Sequence, residues 1–257
     1  MSEQKPEKQV ILNPSISALN FSVRPIGRIS SCYPEKFGTP RQPGLAPSSS
    51  GFIEIYSEFQ PELSLEGLSE FSYVWVIFYF HKENIDRFHA KVHPPRLEGK
   101  TVGVFATRSP HRPNPVGLSL LKIEQVAANG VYVSGIDLIE GTPVLDIKPY
   151  LTHVEAKPEA LSGWVDKLEG AGRNPDASAT QPVVNWSANS ETFLQKYSDV
   201  TDDPLRSLNQ LRALINETVC LDPRPLVYKE YSTAADQSER KPKYRSTHLV
   251  RIYDLDI

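Results

Sequence analysis

The chain has 257 residues, 39% of them hydrophobic and 23% charged, which supplies a full core and predicts one domain with a smaller second one. A formal net charge of −3 excludes a wholesale basic surface, so any contact with nucleic acid has to come from local patches. Cys32 and Cys220 lie far apart without metal-ligand spacing, which predicts reduced thiols and a cytoplasmic setting.

The start, Met1 to Lys8, is polar and lacks the apolar core of a signal peptide, and residues 1–20 read as a flexible leader. Phe21 to Ile29 predicts a first strand, with Pro25 placing it at an edge or bulge. Tyr33 to Gly44 holds too much proline and glycine for regular structure. It is a loop whose usable polar groups are Arg41 and Gln42, and a plain surface loop has the same composition. Phe52 to Tyr56 predicts a short strand, and Leu65, Leu68 and Phe71 mark a helical turn. Tyr73 to Phe80 is apolar on both faces, as a central strand is, and is far shorter than the about 20 residues a membrane span needs. No membrane partner is expected, and the protein reads as soluble. His81 and Lys82 follow at the strand's end, placed either for a site or for structural hydrogen bonds. In the loop Glu83 to Lys100, His89 and His93 have i, i+4 spacing but no clear third ligand, so no metal is predicted.

Thr101 to Thr107 predicts another strand. Beyond it Pro110, Pro113 and Pro115 fix φ at three nearby points and stiffen the loop that carries Arg108, Ser109, His111, Arg112 and Asn114. Such a loop has lost its entropy before a ligand arrives, which suits a binding site; a solvated proline-rich turn is the plainer reading. Val116 to Val126 and Val131 to Ile136 flank Asn129-Gly130, a strong hairpin signal, and Val144 to Lys148 follows the turn Gly141-Thr142-Pro143. Six or seven strands with little helix between them predict a mainly β protein built on a small antiparallel β-barrel, since closure removes exposed edges.

After Leu151 the composition shifts. Residues 152–182 read as a linker or excursion with a short helix around Trp164. Residues 183–257 predict a small α+β C-terminal domain. Asp203-Pro204 opens a helix with the stripe Leu205, Leu208, Leu211, Ile215 and Val219, and Asp222-Pro-Arg-Pro225 ends it. Strand-like runs at Leu226 to Tyr231 and His248 to Ile257 enclose Lys241, Lys243, Tyr244 and Arg245. This basic segment is either a solvated hairpin or a place to hold phosphate and stack a base.

Four ordered segments between Phe21 and Leu151 carry a family resemblance: Lys36-Phe-Gly-Thr-Pro-Arg-Gln-Pro-Gly-Leu45, Phe71-Ser-Tyr-Val-Trp-Val-Ile-Phe-Tyr-Phe-His81, Thr107-Arg-Ser-Pro-His-Arg-Pro-Asn-Pro-Val-Gly-Leu-Ser119 and Asp137-Leu-Ile-Glu-Gly-Thr-Pro-Val-Leu-Asp-Ile-Lys-Pro-Tyr150. They resemble the TsaA-like (TrmO) family of tRNA methyltransferases. The resemblance implies a barrel catalytic domain over 21–151 that transfers a methyl group from S-adenosylmethionine to N6 of threonylcarbamoyladenosine beside the anticodon. It implies cofactor contacts at Pro40, Arg41, Gln42, His81, Lys82, Arg108, Leu118, Gly141, Thr142, Pro143 and Val144, and a homodimer whose loops complete each other's pockets. A nucleotide-type glycine loop is absent, since Gly170-Ala171-Gly172 is followed by Pro175 where the third glycine belongs. A cationic sulfonium tolerates carboxylates such as Asp137 and not arginines, so Arg108 and Arg112 are expected on the cofactor's carboxylate or on substrate anions.

The target nitrogen is weakly nucleophilic and calls for a base or strong orientation, a role expected of Asp137 or Tyr228. Asp222, Arg224, Arg112 and the basic segment Lys241, Lys243, Tyr244 and Arg245 are the expected tRNA contacts. A non-catalytic RNA-binding barrel with a vestigial cofactor site is the alternative. A hydrolase using Ser109 and His111 is disfavoured, because residues two apart on a proline-locked loop seldom align as nucleophile and base.

Overall fold

The computed structural model describes residues 22–83, 88–94, 97, 99–169, 184–199, 206–221 and 249–257. Its centre is a closed antiparallel barrel in the order β1-β2-β7-β6-β3-β8. The strands are β1 (Gly27–Ser31), β2 (Ser50–Ile55), β3 (Tyr73–Tyr79), β6 (Val116–Ala127), β7 (Gly130–Ser134) and β8 (Pro143–Pro149), and the short ladder of β4 (Lys91–Val92) with β5 (Val102–Gly103) stands outside it. The predicted mainly β barrel is therefore present, and side-chain alternation builds it. Val74, Val76 and Phe78 of β3, Ser119 and Leu121 of β6, and Val131 and Val133 of β7 point inward and are buried.

Because every neighbouring pair is antiparallel, successive connections fall at alternate ends. The links β1–β2, β3–β6 and β7–β8 all emerge at one end, and these hold the four matched segments' loops. At that end β3 and β8 slip register between Ile77 and Phe78, a bulge that re-aims the strands beside the opening. Gly117 faces Phe78 there, and a Cβ on it would lie 2.2 Å from the ring's Cζ, so only glycine leaves the ring its place.

Several local expectations need correction. The first strand begins at Gly27, not Phe21. Thr101 to Thr107 is not one strand: Val102–Gly103 pairs with β4, and Val104–Ala106 closes into a 3-10 turn. His248 to Ile257 is not one run either, but a tight hairpin of β9 (Arg251–Ile252) and β10 (Leu255–Asp256) turning at Tyr253, whose φ is 53°. The helices are α1 (Pro61–Ser64), α2 (Thr152–Glu155), α3 (Trp164–Glu169), α4 (Ala188–Asp199) and α5 (Leu208–Cys220). α5 takes Ser207 as its N-cap, whereas Asp203 and Pro204 lie outside the described residues. α4 was not expected.

α4, α5 and the terminal hairpin pack on the barrel through one continuous core, in which Leu194, Leu211, Leu214, Ile215, Val250 and Ile252 join Ile29, Ile53 and Val133. A buried and a part-buried polar pair fasten the contact. Tyr33 and Thr218 share a hydroxyl hydrogen bond of 3.3 Å, and Ser50 and Tyr253 one of 3.0 Å. No helix among the described residues is long and apolar enough to cross a membrane.

Candidate active site

A cavity of about 210 Å³ opens at the loop end of the barrel. Pro40 and Arg41 reach it from the β1–β2 loop, Phe78, Phe80, His81 and Lys82 from the end of β3, Pro110 from the proline loop, and Asp137 to Ile139 with Thr142 from the β7–β8 link. The matched loops are far apart in sequence, and the closure of the barrel brings them to one end.

The walls divide by chemistry. Phe78 and Phe80 stand edge to face at 5.1 Å, and with Leu138 and Ile139 they give an apolar side suited to a flat ring. In the same lining, Arg41, Lys36 and Lys82 supply positive charge. Lys82 donates to the Pro34 carbonyl at 2.8 Å, and Lys36 pairs with Glu83 at 2.7 Å. His111 of the proline loop stands 3.8 Å from the second oxygen of Glu83, so one carboxylate links three loops at the rim.

Asp137 receives a hydrogen bond of 2.6 Å from the Ser119 hydroxyl of β6. Burial pushes its carboxyl up to about 6, against the opposing pull of the Ser119 bond and the Arg108 charge. His81 shifts the other way. Burial, then the charges of Lys82 and Lys36, hold its imidazole below the usual histidine range, so it is neutral at pH 7. Its Nδ1 is buried and has no hydrogen-bond partner among the described residues, which a buried polar atom seldom tolerates unless a ligand completes it.

Arg108 and Gln42 meet at the rim, guanidinium to amide oxygen at 2.6 Å, which ties the proline loop to the β1–β2 loop. Arg112 turns back to the Thr107 carbonyl at 3.5 Å. Gly141 sits in a tight turn at φ 74°, its amide bonded to Ile29, and Thr142 caps that turn through the Ile139 carbonyl at 2.7 Å. Pro143 pairs with Arg28 in the ladder and Val144 is buried in the core, so both support the cavity from behind. Leu118 is on the barrel's outer face and 52% exposed, away from the cavity of its own chain. Ser109 accepts the His111 backbone amide at 3.2 Å, the role of a turn residue. Asp222, Arg224, Tyr228, Lys241, Lys243, Tyr244 and Arg245 lie outside the described residues. Glu83, Lys36 and Ser119 were not singled out in the sequence, because nothing local distinguishes them from solvated or strand residues.

A small closed barrel whose loops, rather than a Rossmann crevice, build a mixed apolar and cationic cavity defines a compact, loop-sited ligand-binding class. The sequence matches the tRNA-methyltransferase O N-terminal domain over residues 28–156, about half of the chain. The chain belongs to that family.

Relatives agree. A Mus musculus tRNA (adenine(37)-N6)-methyltransferase is 50% identical over 153 residues, 59% of this chain and 35% of that one. The Escherichia coli protein of the same name is 35% identical over 219 residues, 83% of this chain and 86% of that one. A Pseudomonas aeruginosa protein, RcsF, provisionally named an S-adenosylmethionine-dependent methyltransferase, is 38% identical over 240 residues and aligns over 92% of its length. This chain thus spans about a third of the mouse relative and nearly all of the bacterial ones. The crystal structure of TrmO superposes with a TM-score of 0.66 at 34% identity, covering 93% of this chain and 91% of that one.

Proposed function

We propose that this chain is a tRNA methyltransferase that uses S-adenosylmethionine to methylate N6 of an adenine beside the anticodon, the base being threonylcarbamoyladenosine. The observation that carries the reading is the meeting of Arg41, His81, Asp137 and Thr142 at one cavity, in a chain that belongs to the tRNA-methyltransferase O family.

The residues present fit the donor. The orphaned Nδ1 of His81 calls for a polar partner, the Phe78 and Phe80 rings offer an apolar seat for an adenine, and Arg41 and Lys82 offer charge to a carboxylate. Pro40 and Gln42 shape the same loop, Arg108 holds Gln42, and Gly141 with Thr142 sets the turn that carries Asp137 to Ile139 into the cavity. S-adenosylmethionine supplies an electrophilic methyl on a sulfonium. Asp137, ionised above about pH 6, is the chain's group for holding the proton released by the target nitrogen, and its raised pKa suits a general base near neutrality. Ser119 orients that carboxylate. Tyr228 is the alternative to Asp137 for the role of base, and Arg112, Asp222, Arg224 and the basic segment Lys241, Lys243, Tyr244 and Arg245 are assigned to the tRNA from the sequence alone.

The working form is a homodimer in the cytoplasm. Tyr73, Tyr79, Val116 and Leu118 leave an exposed apolar strip on the outer face of β3 and β6, which a second copy would cover while bringing Leu118 to the neighbour's pocket. The test is mass spectrometry of nucleosides from tRNA incubated with the protein and S-adenosylmethionine. The expected result is a 14-dalton gain, roughly one methyl replacing a hydrogen, on threonylcarbamoyladenosine and none on tRNA lacking that modification. Equal methylation of both tRNAs would remove the specificity, and no gain on either would remove the activity.

A further inference from the structure

The β3–β6 link is far longer than its neighbours and holds a second feature beside the cavity. Residues 88–115 leave the rim, form the β4–β5 ladder, and return through Arg108 and Pro110. The amide of Val104 donates to the Ala90 carbonyl at 3.0 Å and extends that ladder by one bond before Val104–Ala106 turns away as a 3-10 turn. Phe88 and Phe105 flank this bond in sequence, two residues before Ala90 and one after Val104. Phe88 is 51% exposed and Phe105 76% exposed. This finger is also anchored: the Trp164 indole of α3 donates to the Ala106 carbonyl at 2.9 Å, which fixes the backbone next to Phe105.

Charge sets this finger apart. In a chain whose formal net charge is −3, the sequence of residues 88–115 has Lys91, Arg96, Lys100, Arg108 and Arg112 against a single carboxylate, Glu98. Lys91, Lys100 and Arg112 form no ion pair with any described residue, while most exposed cations of the barrel do, as Arg28 does with Glu54 at 2.9 Å and Lys122 with Glu124 at 2.9 Å. Cations alone would be an ordinary solvated face. Rings left in water among cations without an ion pair to any described residue, on an anchored turn leading into the cavity, are not explained by solvation, because each ring keeps its apolar area unburied.

We propose that this finger is a docking surface for the single-stranded loop of the tRNA substrate, with Phe88 and Phe105 stacking unpaired bases and Lys91 and Lys100 meeting phosphates. The proposal rests on the tRNA reading above and adds where the RNA lies. The chemistry selects the partner. Unpaired bases offer π-faces to aromatic side chains irrespective of sequence, and the backbone between them carries the charge that the lysines lack. The order along the finger suits it too: Arg108 at the cavity, then the rings, then Lys91, with Lys100 beyond on the loop to β5. A target base entering the cavity would leave its neighbours level with the rings.

The experiment measures binding of fluorescent RNA to the full chain by anisotropy, apart from catalysis, using an anticodon stem-loop and a plain duplex of equal length. The parent is expected to prefer the stem-loop. Phe105→Ala should weaken stem-loop binding about tenfold and leave duplex binding unchanged. The double variant Lys91→Glu/Lys100→Glu should weaken both by tenfold or more, and Lys91→Ala/Lys100→Ala should lower the salt slope by about two. Calorimetric affinity for S-adenosylmethionine should stay at the parent value in all three, which separates a lost RNA surface from a damaged fold. Unchanged RNA binding by all the variants, or a parent without preference for the stem-loop, overturns the proposal. A parent that binds the stem-loop through these residues yet transfers no methyl group leaves the surface standing and removes the enzymatic reading instead.

Discussion

Two of the loops that border the cavity are held in opposite ways. The proline loop, Thr107 to Pro115, is stiffened from within. Thr107 Oγ1 donates to the Val104 carbonyl at 2.8 Å and accepts the Ser109 amide at 3.2 Å, and Arg112 N donates to the Pro110 carbonyl at 2.9 Å. The β1–β2 loop, residues 32–49, is held from outside. Glu217 of α5 receives both the amide and the hydroxyl of Ser48 at 2.8 Å, Arg251 reaches Glu35 at 3.1 Å, and Gly38 lies against Val250 and Thr218. One loop owes its shape to covalent restriction and the other to partners 169 to 216 residues away. Removing the C-terminal unit should therefore disorder Arg41 and Gln42 while sparing the turn around Pro110.

The largest expected effect tests the outside brace. Gly38 has φ 93°, and a Cβ there would lie 2.4 Å from Val250 Cγ1. Gly38→Val should cost about 4 kcal/mol in denaturant unfolding, summing backbone strain and overpacking. Cofactor affinity should fall with it.

Asp137 stands between the loops and reports on both. Its folded pKa of about 6 lies above its ordinary value of 3.8, so the fold favours the neutral acid. Stability held below pH 4 is accordingly lost as pH rises through about 6, by up to about 3 kcal/mol. Asp137→Asn should be more stable than the parent above pH 6 by up to that amount and equal to it at pH 3, while methyl transfer collapses. A parent whose melting temperature does not fall between pH 4 and pH 7 relative to the variant would contradict the buried carboxyl. Arg108→Ala should move the rise in activity with pH upward, since the Arg108 charge opposes the shift.

Glu217→Ala breaks both Ser48 bonds in a half-buried setting and should cost about 2 kcal/mol, with the KM for S-adenosylmethionine raised more than kcat is lowered. The smallest effect belongs to the inner brace. Pro113→Ala should cost under about 1 kcal/mol, because the hydrogen bonds of that loop survive it. A Pro113→Ala loss equal to that of Glu217→Ala would erase the contrast between the loops.

The same contrast explains what could be read from the sequence. Strands at Tyr73 to Phe80, Val116 to Val126 and Val131 to Ile136 were legible because apolar runs and turn residues are local signals, and the resemblance marked Arg41, His81, Arg108 and Asp137 as candidates. The brace was not legible. Nothing near Glu217 or Thr218 says that they meet Ser48 and Tyr33 across the fold. α4 escaped for a related reason: among its apolar residues only Leu194 is buried, too thin a stripe to register as amphipathic. Val104 to Ala106 looked like strand from its apolar character, yet Phe105 faces solvent and the stretch closes into a turn.

The strict alternation of connections around the barrel gives the molecule a working end and an idle one. Segments at the working end can differ in length without altering a single strand pairing. The hairpin at Ala128-Asn129, on the opposite end and bonded to Ile55 through the Asn129 carbonyl at 2.9 Å, is accordingly the place to insert a reporter domain or surface anchor away from the cavity between the loops.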